Sequence, residues 1–145
     1  MKKTAVIVVV IMLAWLASIA ASRQNAEENA VRQTVQHYLY GLKNNDVGSL
    51  KKAFYPEAKL LWIKKDNQLG QLTQEQWHKG FEANAGKEEA GDLRIAAVDI
   101  TGDAASVKVV EVYDDSIYTD YLSLLKLGGE WKIVNKIYTV SARKK

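Results

Sequence analysis

The chain has no cysteine, one proline, two phenylalanines and two histidines among its 145 residues. Without cysteine there is no disulfide, no thiol nucleophile, no thiolate metal ligand and no lipid anchor on a cysteine. The folded part must stand on its hydrophobic core, and roughly 120 residues are enough for that. His37 and His78 lie far apart, without His-x3-His or HExxH spacing and without a carboxylate cluster beside them, so no metal centre is expected. Neither a Gly-x-Ser-x-Gly elbow nor a phosphate-cradling glycine loop occurs, and no cofactor is expected. A basic stripe interleaved with aromatics is also missing, so nucleic acid is not an expected partner.

The N-terminus is built differently from the rest. "MKK" gives a basic start, Ala5 to Ala17 is an uncharged and almost wholly apolar run, and "SIAAS" supplies small residues at peptidase spacing. This three-part pattern predicts a signal peptide over residues 1–22, cut after Ala20 or Ser22, and a periplasmic or secreted protein. The alternative is an uncleaved membrane anchor, since Ala5 to Ala21 is at the lower limit for spanning a bilayer. The formal charge of +3 includes Lys2 and Lys3, and their removal leaves +1.

The remainder, residues 23–145, reads as one domain with no repeat or linker. Val31, Val35, Tyr38 and Leu42 fall on one face of a helix over Ala26 to Leu42. Asp46 is a candidate N-cap for a short second helix that Pro56 would end. "AKLLWI" reads as a strand. Thr73 and Gln76 form a capping box for a third helix, with Trp77 and Phe81 on one face. From Leu93 the period becomes two, predicting strands Leu93–Thr101, Ala105–Tyr113, Ile117–Leu127 and Trp131–Val140. "GD", "DDS" and "GG" supply the turns between them. Three helices followed by a meander define an α+β fold.

"YLYGLKNNDVGSLKKAFYPEAKL" and the closing hairpin "YTDYLSLLKLGGEWKIVNKIY" resemble the putative lumazine-binding family of the nuclear transport factor 2-like superfamily. The resemblance runs from about Glu27 to Tyr138. It implies a cone: a strongly curved antiparallel sheet wrapped on three N-terminal helices, with a pocket in the open end and frequent dimers through the outer face of the sheet. In the ketosteroid-isomerase-like relatives a first-helix tyrosine and a following-strand aspartate move the proton. Laid on this chain, the tyrosine falls on Tyr38 and the aspartate on Trp62. A tryptophan is no base, so the resemblance implies a pocket wall there rather than that mechanism.

Strand alternation sorts the faces, taking "DDS" as a three-residue turn and "GG" as a two-residue turn. Asp120 and Asn135 then fall among apolar core residues. Glu111, Tyr113, Tyr121, Lys136 and Tyr138 fall on the outer face, where the tyrosines suit a homodimer contact. A buried carboxylate must be paired, protonated or near water. Asp120 is therefore a candidate proton donor or ligand anchor, or else a structural partner of Asn135, Tyr38, Lys108 or backbone.

The expectation is an exported, non-catalytic domain binding a small apolar or aromatic molecule. Tyr38, Trp62, Trp77 and Phe81 would supply apolar and stacking contacts, and Asp120 and Asn135 would orient the polar groups of the ligand. Two alternatives stand beside it. One is a proton-transfer enzyme of isomerase, cyclase or dehydratase type using Asp120 with Tyr38. The other is an interaction module whose cone is filled by its own side chains.

Overall fold

A computed structural model describes residues 2–144, with side-chain surroundings from residue 21 onward. Helix α1 (Lys2–Lys43) continues well before the expected start at Ala26. The signal-peptide expectation and its membrane-anchor alternative rest on side chains outside the described residues. Among the described residues no helix is long and apolar enough to cross a membrane.

The predicted helical stripe is the one that packs: Val31, Val35 and Tyr38 are fully buried, and Leu42 nearly so. Helix α1 ends in a Schellman arrangement. Asn45 takes the left-handed conformation, its N–H reaches the Leu42 carbonyl, and the Asp46 N–H reaches that of Gly41. Asp46 then caps α2 (Val47–Ala53), accepting from the Gly48 N–H at 2.9 Å and the Ser49 hydroxyl at 2.7 Å. The close approach of α2 to α1 depends on Gly41. A Cβ there would sit 2.5 Å from Leu50 Cδ2 and 3.0 Å from the Asp46 carbonyl oxygen. Leu50 is fully buried and has nowhere to go. Gly41→Ala is expected to lower stability by roughly 1–3 kcal/mol, an overpacking cost visible as a lower urea midpoint at unchanged slope.

Strand β1 (Phe54–Ile63) begins directly after α2, so Pro56 lies inside a strand and does not act as the helix stop that was expected. Strand β2 (Leu69–Thr73) was not anticipated: its five residues carry two leucines separated by Gly70 and Gln71, with little alternation. The Thr73–Gln76 capping box forms as predicted at the start of α3 (Gln74–His78), which a 3₁₀ turn over Lys79–Asn84 extends.

Four long strands follow: β3 (Asp92–Thr101), β4 (Ala104–Val112), β5 (Ser116–Leu127) and β6 (Glu130–Ala142). The six-stranded sheet has the order β2-β1-β6-β5-β4-β3, antiparallel except where β1 runs parallel to β6. Helix α1 lies across its concave side, in contact with both β3 and β6. The core between them holds Leu50, Val107, Val109, Leu122, Leu124 and Ile133.

Two local features set which side chains enter the cone, and both depart from the simple alternation. The β4–β5 turn is tighter than expected. Tyr113 and Ser116 close it with a 2.9 Å backbone hydrogen bond, so Val109, not Val110, lies opposite Asp120. In β6, Ser123 pairs with Asn135 while Leu124 pairs with Ile133, which leaves Val134 as an extra residue in a β-bulge. Past that bulge the faces of β6 exchange. Lys136 and Tyr138 turn inward, opposite Leu122 and Asp120, and Asn135 and Ile137 turn outward.

Candidate functional site

The two corrections in register bring four polar side chains together inside the cone. Tyr38 comes from α1, Glu111 from β4, Asp120 from β5 and Lys136 from β6, and each is at least 96% buried. Tyr38 Oη lies 2.8 Å from Glu111 Oε1, and it also contacts Asp120 Oδ2 and Lys136 Nζ. Lys136 Nζ reaches Asp120 Oδ2 at 2.7 Å and is 3.9 Å from Glu111 Oε1. Tyr113 Oη donates to Glu111 Oε2 at 3.2 Å.

Proton bookkeeping fixes how such a cluster can be satisfied. A phenol has one proton to give and two lone pairs to receive with. If Tyr38 donates to Asp120 and accepts from Lys136, its contact with Glu111 is attractive only when Glu111 carries a proton of its own. The electrostatics agree. Burial pushes the Glu111 carboxyl up to about 7, the Lys136 charge opposes this, and the neighbouring Asp120 carboxylate adds to it. Burial also pushes the Tyr38 phenol well above its usual range, reinforced by Glu111 and Asp120, so it stays protonated. Burial and Glu111 raise Tyr113 in the same direction. One ion pair, Lys136 with Asp120, is thus fixed, and one carboxyl, Glu111, exchanges its proton near neutrality.

Beside this cluster a cavity of about 530 Å³ opens at the mouth of the cone, with Glu111 and Lys136 among its walls. One wall is Trp77 and Phe81, packed edge to face at 5.2 Å, with Phe54 and Tyr38 behind them. The facing wall is a tyrosine series: Tyr113 meets Tyr118 edge-on at 5.7 Å, and Tyr118 stacks on Tyr138 at 6.3 Å. The cone is not filled by its own side chains. Chemically the site can stack a flat molecule between aromatic walls and give or take a proton at Glu111.

Of the six residues proposed from sequence, Trp77 and Phe81 line this cavity directly. Tyr38 and Asp120 lie in the polar cluster behind it, and Asp120 pairs with Tyr38 and Lys136, two of its neighbours in space. Asn135 is a correction: the bulge at Val134 carries it to the outer side of the sheet. Trp62 is another. Its ring lies tilted against Tyr138 at 5.6 Å and covers Gly70, where a Cβ would fall 2.3 Å from it, so it buttresses the rim without lining the cavity. Tyr113 and Tyr138 belong to the cavity walls, and of the three tyrosines assigned to the outer face Tyr121 is the one exposed there. Sequence reasoning missed Glu111 and Lys136 because the tight turn and the bulge hide them. The one trace of the bulge is the adjacent apolar pair Ile133–Val134, which interrupts the alternation of β6.

A second hollow, of about 540 Å³, lies between α2, β1 and α3, where Gln74 Oε1 and His78 Nε2 are buried without a protein partner among the described residues. Burial, with Lys51 adding to it, lowers the His78 pKa and keeps the imidazole neutral. Among the described residues no buried ion pair faces this hollow, whereas the cone holds the Lys136–Asp120 pair.

Helices held in an open, mixed six-stranded sheet with a cavity at the mouth define the nuclear transport factor 2-like fold, α+β in class. The chain belongs to the putative lumazine-binding family, whose profile matches residues 26–139. No curated protein matches it. Among solved structures it is similar to a nuclear transport factor 2-like protein of unknown function from Silicibacter pomeroyi, with 22% identity and a TM-score of 0.72 over 81% of this chain and 98% of that one. A nuclear transport factor 2-like protein from Shewanella baltica gives 27% identity and a TM-score of 0.72 over 80% and 94%. A ketosteroid isomerase-like protein from Erwinia carotovora atroseptica is more distant, with 12% identity and a TM-score of 0.60 over 81% and 96%.

Proposed function

We propose that the protein is an exported, homodimeric carrier or sensor of a small flat molecule held in the cone, without catalysis. The observation that carries this reading is the open cavity between the Trp77–Phe81 wall and the tyrosine wall, with the buried Glu111 and Lys136 among its lining residues. Apolar walls with a few convergent polar groups are the usual make-up of a small-molecule site. Membership of the putative lumazine-binding family agrees with a small-molecule ligand. Dimerisation is supported by the outer face, where Ile63, Leu69, Tyr121 and Ile137 are exposed around an apolar groove. Export rests on the signal-like N-terminus.

The test is native mass spectrometry of the protein recovered from its exporting host, followed by titration of flat aromatic compounds with Trp77→Ala as control. A mass shortened by residues 1–20 or 1–22, doubled, and carrying a small molecule that Trp77→Ala loses is the expected result. Removing the Trp77 face is expected to weaken binding at least tenfold, the loss typical of a buried aromatic anchor. Full-strength binding by Trp77→Ala would overturn the cavity as the site.

A second reading is favoured by one feature, the Glu111 carboxyl at about 7, which suits a general acid or base. In that reading Glu111, which reaches the cavity, replaces Asp120 as the proton-transfer group. Asp120 with Tyr38 and Lys136 would set its proton affinity. Turnover of a carbonyl substrate that Glu111→Gln abolishes would establish it.

A further inference from the structure

The cavity walls carry charge of one sign once internal pairing is counted. Lys136 is the one cation among the lining residues, and its ammonium is 2.7 Å from Asp120, so the two cancel. The other charge-bearing acidic groups of the lining are carboxyls: Glu111 in the wall, and Glu89 and Asp115 at the mouth. The nearby bases are not part of the lining: Lys43 pairs with Glu88 at 3.3 Å, and Arg143 holds the Tyr113 carbonyl at 3.1 Å.

The aromatic faces match this charge. Lys136 Nζ already lies 4.9 Å from the centre of the Tyr38 ring, 5.1 Å from Tyr138 and 5.7 Å from Trp77. These are cation–π distances, so the floor of the cavity already places ring faces around one positive group, the Lys136 ammonium paired with Asp120. Towards the mouth, Phe81, Tyr113 and Tyr118 present further ring faces with no cation of the protein placed over them among the described residues. An anion entering here would meet ring faces and carboxylates. A flat molecule bearing an ammonium would meet ring faces for its body and Glu89 and Asp115 for its charge.

We propose that the ligand of this cavity is cationic: an aromatic or flat apolar body carrying an amine, with the body between the Trp77–Phe81 and tyrosine walls and the ammonium at Glu89 and Asp115. This deepens the small-molecule reading above and rests on it. Specificity arises because the same carboxylates that attract an amine repel an acid of equal shape.

The test compares three molecules of nearly the same shape on the full-length protein by calorimetry near neutral pH: tryptamine, the neutral 3-propylindole and the anionic indole-3-propionate. Tryptamine is expected to bind about tenfold more tightly than 3-propylindole, with indole-3-propionate weakest. In Glu89→Gln/Asp115→Asn, at two exposed positions that leave the buried cluster untouched, the advantage of the amine is expected to shrink to about twofold. The affinity for 3-propylindole should not change. Equal affinities, or the anion ahead, overturn the cationic preference and leave the cavity reading standing. An amine advantage that survives intact in the double variant also overturns it, because the charge then does not sit at the mouth. Binding by none of the three overturns both.

Discussion

Lys136→Met should cost the protein roughly 3–5 kcal/mol, the range found when one partner of a buried ion pair is removed and the other is left behind. The side chain is nearly isosteric in length, so little packing changes. What changes is charge: Asp120, fully buried, loses its 2.7 Å partner, and Glu111 loses the cation that holds its proton affinity down. A domain of ordinary stability has about 5–15 kcal/mol in all, so the variant should sit near the edge of folding. Urea denaturation checks this at neutral pH. Adding Asp120→Asn to Lys136→Met should return a large part of the loss, since no uncompensated charge then remains at that position. If Lys136→Met alone unfolds within about 1 kcal/mol of wild type, the ion pair is not the fixed point of the cluster.

The second large effect is a stability that declines as pH rises. Glu111 titrates near 4.5 in the unfolded chain and at about 7 in the folded one. Between those values the unfolded state has released its proton and the folded state has not, so each step up in pH favours unfolding. Below about 4.5 both states are protonated and the group is neutral in effect. Above about 7 both are ionised, and the full penalty, roughly 3–4 kcal/mol by linkage, is in place. His78 works in the opposite sense, because burial lowers its pKa and protonation of the unfolded chain favours unfolding as pH falls. The clean measurement is therefore the difference between wild type and Glu111→Gln across that range. The amide N–H keeps a donor for Tyr38 Oη and cannot ionise. Wild type should lose ground to Glu111→Gln steadily from about pH 4.5 to 7 and then run parallel to it. Parallel curves throughout would mean that Glu111 is ionised in the folded protein at all these pH values.

Both predictions concern residues that the sequence placed on the wrong side of the sheet. The alternating strands were legible, and so were the Gly102–Asp103 and Gly128–Gly129 turns, the Asp46 cap and the Thr73–Gln76 capping box. Each of these is a local rule: a period of two, a positive φ that glycine tolerates, a side-chain oxygen facing a free N–H. Tyr38 and Asp120 were legible for a related reason. Tyr38 sits on the apolar stripe of a helix, and Asp120 interrupts an apolar series in a strand whose neighbours fix its face.

Glu111, Lys136 and Asn135 were not legible in that way. Which face they take depends on whether the Asp114–Asp115 turn has two residues or three, and on whether β6 keeps its register past Val134. Neither is a property of the local chain. A bulge costs little in itself, and it forms here because it lets Lys136 meet Asp120 and Tyr138 meet Tyr118. The sequence by itself determined the fold class, the helix caps, most strand boundaries and the presence of one carboxylate in the core. The tertiary structure alone decided which cation would neutralise it, which second carboxyl would join it, and that the cavity beside them would be left with ring faces and carboxylates. The physical reason is that a one-residue shift reverses every side chain beyond it, and only the packed sheet fixes that shift.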